Sequence, residues 1–149
     1  MVMATAVAAP VVVAAASLKN VVPTGEAAAL SVVQLPAWIR GGLPPNTVRR
    51  VREFIEAHLA ENISVQALAT VAGLSTHHFS RAFKRSEGVT PHDYLMQRRV
   101  RRAQDLLAAT DLPLSQIALA SGFADQSHCT RRFREQVGIT PGSYRWSMR

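Results

Sequence analysis

His77, Ser80, Arg81 and Lys84 stand at i, i+3, i+4 and i+7. On a helix that spacing gathers them into one polar stripe, with Phe79 and Phe83 on the opposite side. Fifty positions further on, Ser127, Thr130, Arg131 and Arg134 repeat the stripe, opposite Cys129 and Phe133. Side chains of these types donate to and accept from base edges and phosphate oxygens. An arginine can fork onto O6 and N7 of guanine, contributing about 1–3 kcal/mol of discrimination. One such stripe would be an ordinary solvated helix face. Two copies, each preceded by the same turn, favour DNA readout.

The elements that must carry the stripes are helical throughout. Val48, Val51, Ile55 and Leu59 form one apolar stripe, which predicts a helix from Thr47 that stops at Asn62. Ser64 caps a short second helix, with Ile63 and Leu68 placed as a hydrophobic staple, and Gly73 ends it. Ser75 caps the third helix, which Gly88 closes in a left-handed conformation. Thr90, Pro91 and Asp93 start a long helix running to about Ala109, with Met96, Val100, Ala103 and Leu107 on one side. Arg98, Arg99, Arg101 and Arg102 crowd the rest of it.

After "TDLPL" the pattern runs again. Leu112 and Ile117 repeat the staple, Ala118 and Gly122 repeat Ala69 and Gly73, and Phe133, Gly138, Thr140, Pro141 and Tyr144 repeat Phe83, Gly88, Thr90, Pro91 and Tyr94. Ala69 to Ala118 is 49 positions and Phe83 to Phe133 is 50, so the second copy carries one extra residue just after the turn. Two helices that cross steeply need a small residue at the crossing and a glycine at the turn. The Ala-x-x-x-Gly pairs supply both, as in a helix-turn-helix. The expected fold is all-α: seven helices in two helix-turn-helix subdomains, residues 46–90 and 110–149, bridged by a linker helix over 91–109. A linker of about 19 residues spans about 28 Å at 1.5 Å per residue. That is close to the roughly 34 Å between successive major grooves on one side of the duplex.

The bulk composition agrees. The 149 residues carry a net charge of +7, which points to an anionic partner. Of 17 basic residues only Lys19 and Lys84 are lysine; arginine suits phosphate and guanine, and a composition bias of the genome is the competing reading. Residues 1–45 hold only Lys19, Glu26 and Arg40 as charged residues, are rich in Ala and Val, and end in the linker-like "RGGLPP". They read as a poorly structured tail, or as a segment docking through Leu35, Trp38 and Ile39. No apolar run reaches the roughly 18 residues of a membrane span, and the apolar start lacks the early positive charge of an export signal, so a cytoplasmic protein is expected.

Residues 47–146 resemble the DNA-binding domain of the AraC/XylS family of bacterial transcription regulators. The resemblance is carried by "LATVAGLSTHHFSRAFKR", by "GVTPHDYL" with Arg99 and Ala103 following, by "IALASGFADQSH" and by "GITPGSYR". It implies base contacts from His77, Ser80 and Arg81 in the first unit, and from Gln126, Ser127, Thr130 and Arg131 in the second. It implies phosphate contacts from Ser75, Thr76, Lys84 and Arg134. Ala69, Gly73, Phe79, Phe83, Ala118, Gly122, Cys129 and Phe133 then hold the two units together. The implied partner is promoter or operator DNA, with RNA polymerase as a second. Two departures stand out. Cys129 occupies a position where relatives often carry Phe, which predicts looser packing of the second unit. Only 45 residues precede the domain, where many relatives carry a larger effector-binding or dimerising domain. A stand-alone regulator and the remnant of a longer one both fit, and a small-molecule effector is not expected of so short a chain.

Other chemistry finds little support. Adjacent His77 and His78 point about 100° apart on a helix and cannot share an ion. His58, His92 and His128 have no partner at ligand spacing, so no metal or other cofactor is expected. Gly41-Gly42 lacks the sequel of a phosphate loop, and no enzyme is expected. Cys129 reads as a small buried hydrophobe or, alternatively, as a regulatory thiol. Two other classes remain to be weighed: a non-specific architectural DNA-binding protein, and a repair enzyme, which would need a reactive cysteine in a separate domain.

Overall fold

The computed structural model describes residues 38–149, which fall within one compact unit. Of the segment 1–45 read as a tail or as docking through Leu35, Trp38 and Ile39, residues 1–37 lie outside the described residues; Trp38 and Ile39 are each 39% exposed, and Leu43 is buried with its N–H donating to Ser86 Oγ at 2.7 Å. Among the described residues the fold is seven helices: α1 Pro45–Ala57, α2 Val65–Ala72, α3 Thr76–Glu87, α4 Pro91–Ala109, α5 Leu114–Ala120, α6 Gln126–Val137 and α7 Pro141–Ser147. Helices α2 and α3 make the first helix-turn-helix, α5 and α6 the second, and α4 bridges them.

The caps set most boundaries. The hydroxyl oxygens of Ser64, Ser75, Thr90 and Thr140 accept from the backbone N–H of Ala67, His78, Asp93 and Ser143, three residues on in each case. Asp125 does the same for His128 at 2.7 Å and so starts α6. In the turns, Gly73 and Gly122 are left-handed, with φ of 71° and 89°. This geometry lets Leu74 N–H reach the Ala69 carbonyl at 3.0 Å and Phe123 N–H reach the Ala118 carbonyl at 2.9 Å. The Ala-x-x-x-Gly pattern thus serves hydrogen bonding as well as close packing. Ala124, between Gly122 and the Asp125 cap, is the extra residue of the second copy.

Helix α1 differs from its expected limits. It begins at Pro45, whose ring pre-sets φ for a first helical position, and it ends at Ala57. Leu59 is buried as its stripe demands, but it reaches the core from a turn. There Glu61 N–H donates to the His58 carbonyl at 2.8 Å, and the Leu59 and Glu61 carbonyls accept from Arg99 instead of from a further helical turn. The second staple also fails to repeat. Leu112 is 36% exposed, its carbonyl is taken by Arg145 Nη2 at 2.5 Å, and Pro113 opens α5 without a side-chain cap.

A single apolar core runs through both units, continued across α4 by Leu95, Met96, Val100, Ala103 and Leu107. Each unit sets a phenylalanine of its second helix edge-on to a tyrosine of the next: Phe83 to Tyr94 at 5.5 Å and Phe133 to Tyr144 at 5.4 Å. Phe79 pairs with Phe83 at 5.4 Å, and Cys129 takes the corresponding place in α6. Cys129 is buried, and so is Phe123, which is larger than its half-buried counterpart Leu74.

Candidate nucleic-acid interface

Packing fixes which way each stripe faces. Phe79, Ala82 and Phe83 bury one side of α3, leaving His77, Arg81 and Lys84 exposed and Ser80 half-exposed on the other. Cys129 and Phe133 do the same for α6, leaving Gln126, Ser127, Arg131 and Arg134 exposed and Thr130 half-exposed. Gln126, Ser127, Thr130, Arg131 and Arg134 line one concave surface together with Glu135 and Thr140. Those last two were missed in the sequence. Glu135 stands four residues after Arg131, the one available signal; Thr140 matches Thr90 and reads as a cap alone. Ser75 and Thr76 are exposed at the start of α3, where the helix dipole and free N–H groups favour an anion. The Ser75 oxygen accepts from His78 N–H at 3.2 Å, and its own proton stays available for donation.

The arginines divide into two groups. Arg81, Lys84, Arg131 and Arg134 have no carboxylate partner among the described residues. Those of α4 and its surroundings are engaged. Arg52 Nη2 donates to both carboxylate oxygens of Glu87, at 2.8 and 2.7 Å, tying α1 to the end of α3. Arg98 reaches Glu56 at 2.5 Å, Arg101 pairs with Asp105 at 3.6 Å within its own helix, and Arg102 donates to the Ala120 carbonyl at 2.9 Å. Arg99 is buried at 7% exposure and meets no carboxylate. Its Nε donates to the Leu59 carbonyl at 3.2 Å and its Nη2 to the Glu61 carbonyl at 2.7 Å. Arg98, Arg99 and Arg102 of α4 therefore tie that helix to its neighbours, which spacing alone did not reveal.

Two titrating groups belong to the second reading helix. Burial, reinforced by the charges of Arg131 and Arg132, lowers the His128 imidazole below its ordinary range. Burial pushes the Cys129 thiol up to about 11. A thiol so placed stays protonated at neutral pH and is a poor nucleophile, which speaks against a regulatory or repair role. Among the described residues no three His, Cys, Asp or Glu side chains stand together as metal ligands. No helix among them is long and apolar enough to cross a membrane.

Two helix-turn-helix units on one linker define a DNA-binding domain of the double helix-turn-helix class. Residues 68–147 match the family model described as a helix-turn-helix domain. The probable transcriptional regulator LumQ of Photobacterium leiognathi is 38% identical over 99 residues, 66% of this chain and 40% of LumQ. A crystal structure of a transcriptional regulator with an AraC-type DNA-binding domain, from Chromobacterium violaceum, is 30% identical with a TM-score of 0.65, covering 69% of this chain and 92% of that one. The DNA-binding domain of the global transcriptional factor AdpA, in complex with a target DNA, is 32% identical with a TM-score of 0.65, covering 68% and 91%. The chain belongs to the AraC-type helix-turn-helix family. It spans between 29% and 45% of the length of the curated relatives compared.

Proposed function

We propose that this protein is a sequence-specific transcription regulator that sets α3 and α6 into successive major grooves on one side of a DNA duplex. The observation that carries this reading is the duplicated polar stripe, backed in each unit by a buried aromatic and an αL glycine turn. His77, Ser80 and Arg81 read bases in one groove; Gln126, Ser127, Thr130 and Arg131 read them in the next. Ser75, Thr76, Lys84 and Arg134 hold phosphates and supply the salt-dependent part of the affinity. The two stripes differ, so a monomer's site is non-palindromic. No reaction is assigned to the chain. A contact with RNA polymerase belongs to the same reading and is tested by transcription with purified polymerase on a template carrying the selected site.

The test of DNA recognition itself is competition binding. A site selected from random duplex DNA should be preferred over random sequence by at least roughly 10³-fold. Equal binding to both would make the protein an architectural one.

A further inference from the structure

Arg99 lies where three parts of the molecule meet. It belongs to the linker helix α4, and its two hydrogen bonds end on carbonyls of the α1–α2 turn, part of the first unit. Its guanidinium also lies against Gly122, in the turn of the second unit. A Cβ placed on Gly122 would stand 2.7 Å from Arg99 Nε and would overlap the Leu59 carbonyl oxygen. The first unit's turn, the linker and the second unit's turn therefore close on one another around a single buried cation. The other polar ties of α4 are weaker for this purpose. Arg98 and Glu56 are both about half-exposed, and such pairs contribute little. Arg102 binds only the second unit.

We propose that Arg99 is the positioning residue that holds the two DNA-reading helices at one fixed separation and rotation, and so sets the spacing between the two halves of the binding site. A buried guanidinium that has given up water must keep its carbonyl partners, since leaving either unpaired is costly. Rocking of the first unit against α4 opens the two hydrogen bonds, and rocking of the second unit opens the packing at Gly122. The duplex makes such rigidity matter: one added base pair shifts the second groove by about 3.4 Å and turns it by about 34°. The consequence for DNA spacing rests on the proposed mode of recognition; the rigidity itself does not.

The test has two arms. Spin labels at His77→Cys and Ser127→Cys report the distance between α3 and α6 without DNA; the buried, protonated Cys129 thiol is not expected to react. The expected result is one narrow distance population that Arg99→Met broadens at least about twofold. Arg99→Lys keeps the charge and most of the stem but cannot span both carbonyls, and it should broaden the distribution as well, which covers the case in which the Met variant does not fold. Unchanged widths in the folded variants would overturn the proposal. In the second arm, a one-base-pair insertion between the two halves of the selected site should weaken binding of the unaltered protein about tenfold and of the Arg99 variants about threefold or less. Equal loss in all would also overturn it. Failure to select any site would instead count against the recognition mode, leaving the first arm to decide on Arg99.

Discussion

The α-carbon of Gly122 faces the Arg99 guanidinium and the Leu59 carbonyl so closely that no side chain fits between them. Gly73, its counterpart in the first unit, has the same left-handed backbone but open space around it. The two glycines are thus required for different reasons. Gly73→Ala should cost about 1–2 kcal/mol, the strain of a left-handed alanine. Gly122→Ala adds an overpacking cost of about 1–3 kcal/mol and should be the more damaging by that margin. Denaturant unfolding of the two variants checks the order.

Acid should weaken the fold through His128. Its imidazole titrates lower in the folded state than in the unfolded chain, so the unfolded chain takes up the proton first. This contribution is complete above the ordinary histidine value of about 6.5 and is lost as pH falls below it, through the lowered folded value. Stability measured from pH 7.5 to 5 should decline less steeply in His128→Asn than in the unaltered protein.

Cys129 gives the opposite sign. Its folded-state value of about 11 lies above the unfolded one, so folding is favoured fully below about 9 and less as pH climbs towards 11. At pH 7.5 the native thiol should react with a thiol reagent at least about 100-fold more slowly than in the unfolded chain. A fast native reaction would revive the regulatory-thiol reading.

Lys84→Ala should weaken binding to all sequences about equally. It should lower the slope of log affinity against log salt by about 1, the signature of one lost phosphate contact. Anisotropy titrations across a salt series on selected and random duplexes measure both quantities. A change in sequence preference would mean that Lys84 reads a base.

Much of the fold was legible because its signals are local. Ser64, Ser75 and Thr90 cap the helices they were expected to cap, Gly73 ends its helix where it was expected to, and Gly88 turns left-handed as expected. The misreadings are tertiary. Leu59 fits the α1 stripe, but Arg99, forty positions on, draws its carbonyl out of the helix. Leu112 fits the staple, but its side chain is 36% exposed and is not among those packed on the core. The orientation of both reading stripes was visible from the buried phenylalanines behind them. The division of arginines into free and engaged was not, because Glu56, Glu61, Glu87 and Ala120 meet their partners only through the fold.

The central claim is that the two helices read separate parts of one site, and binding-site selection tests it most directly. Selections from random duplex DNA should be run in parallel with the unaltered protein, Arg81→Ala and Arg131→Ala. The expected result is one motif with two separated elements, each arginine variant losing preference in a different element, at about 1–3 kcal/mol per lost contact. Selected motifs left unaltered by both substitutions would contradict the account.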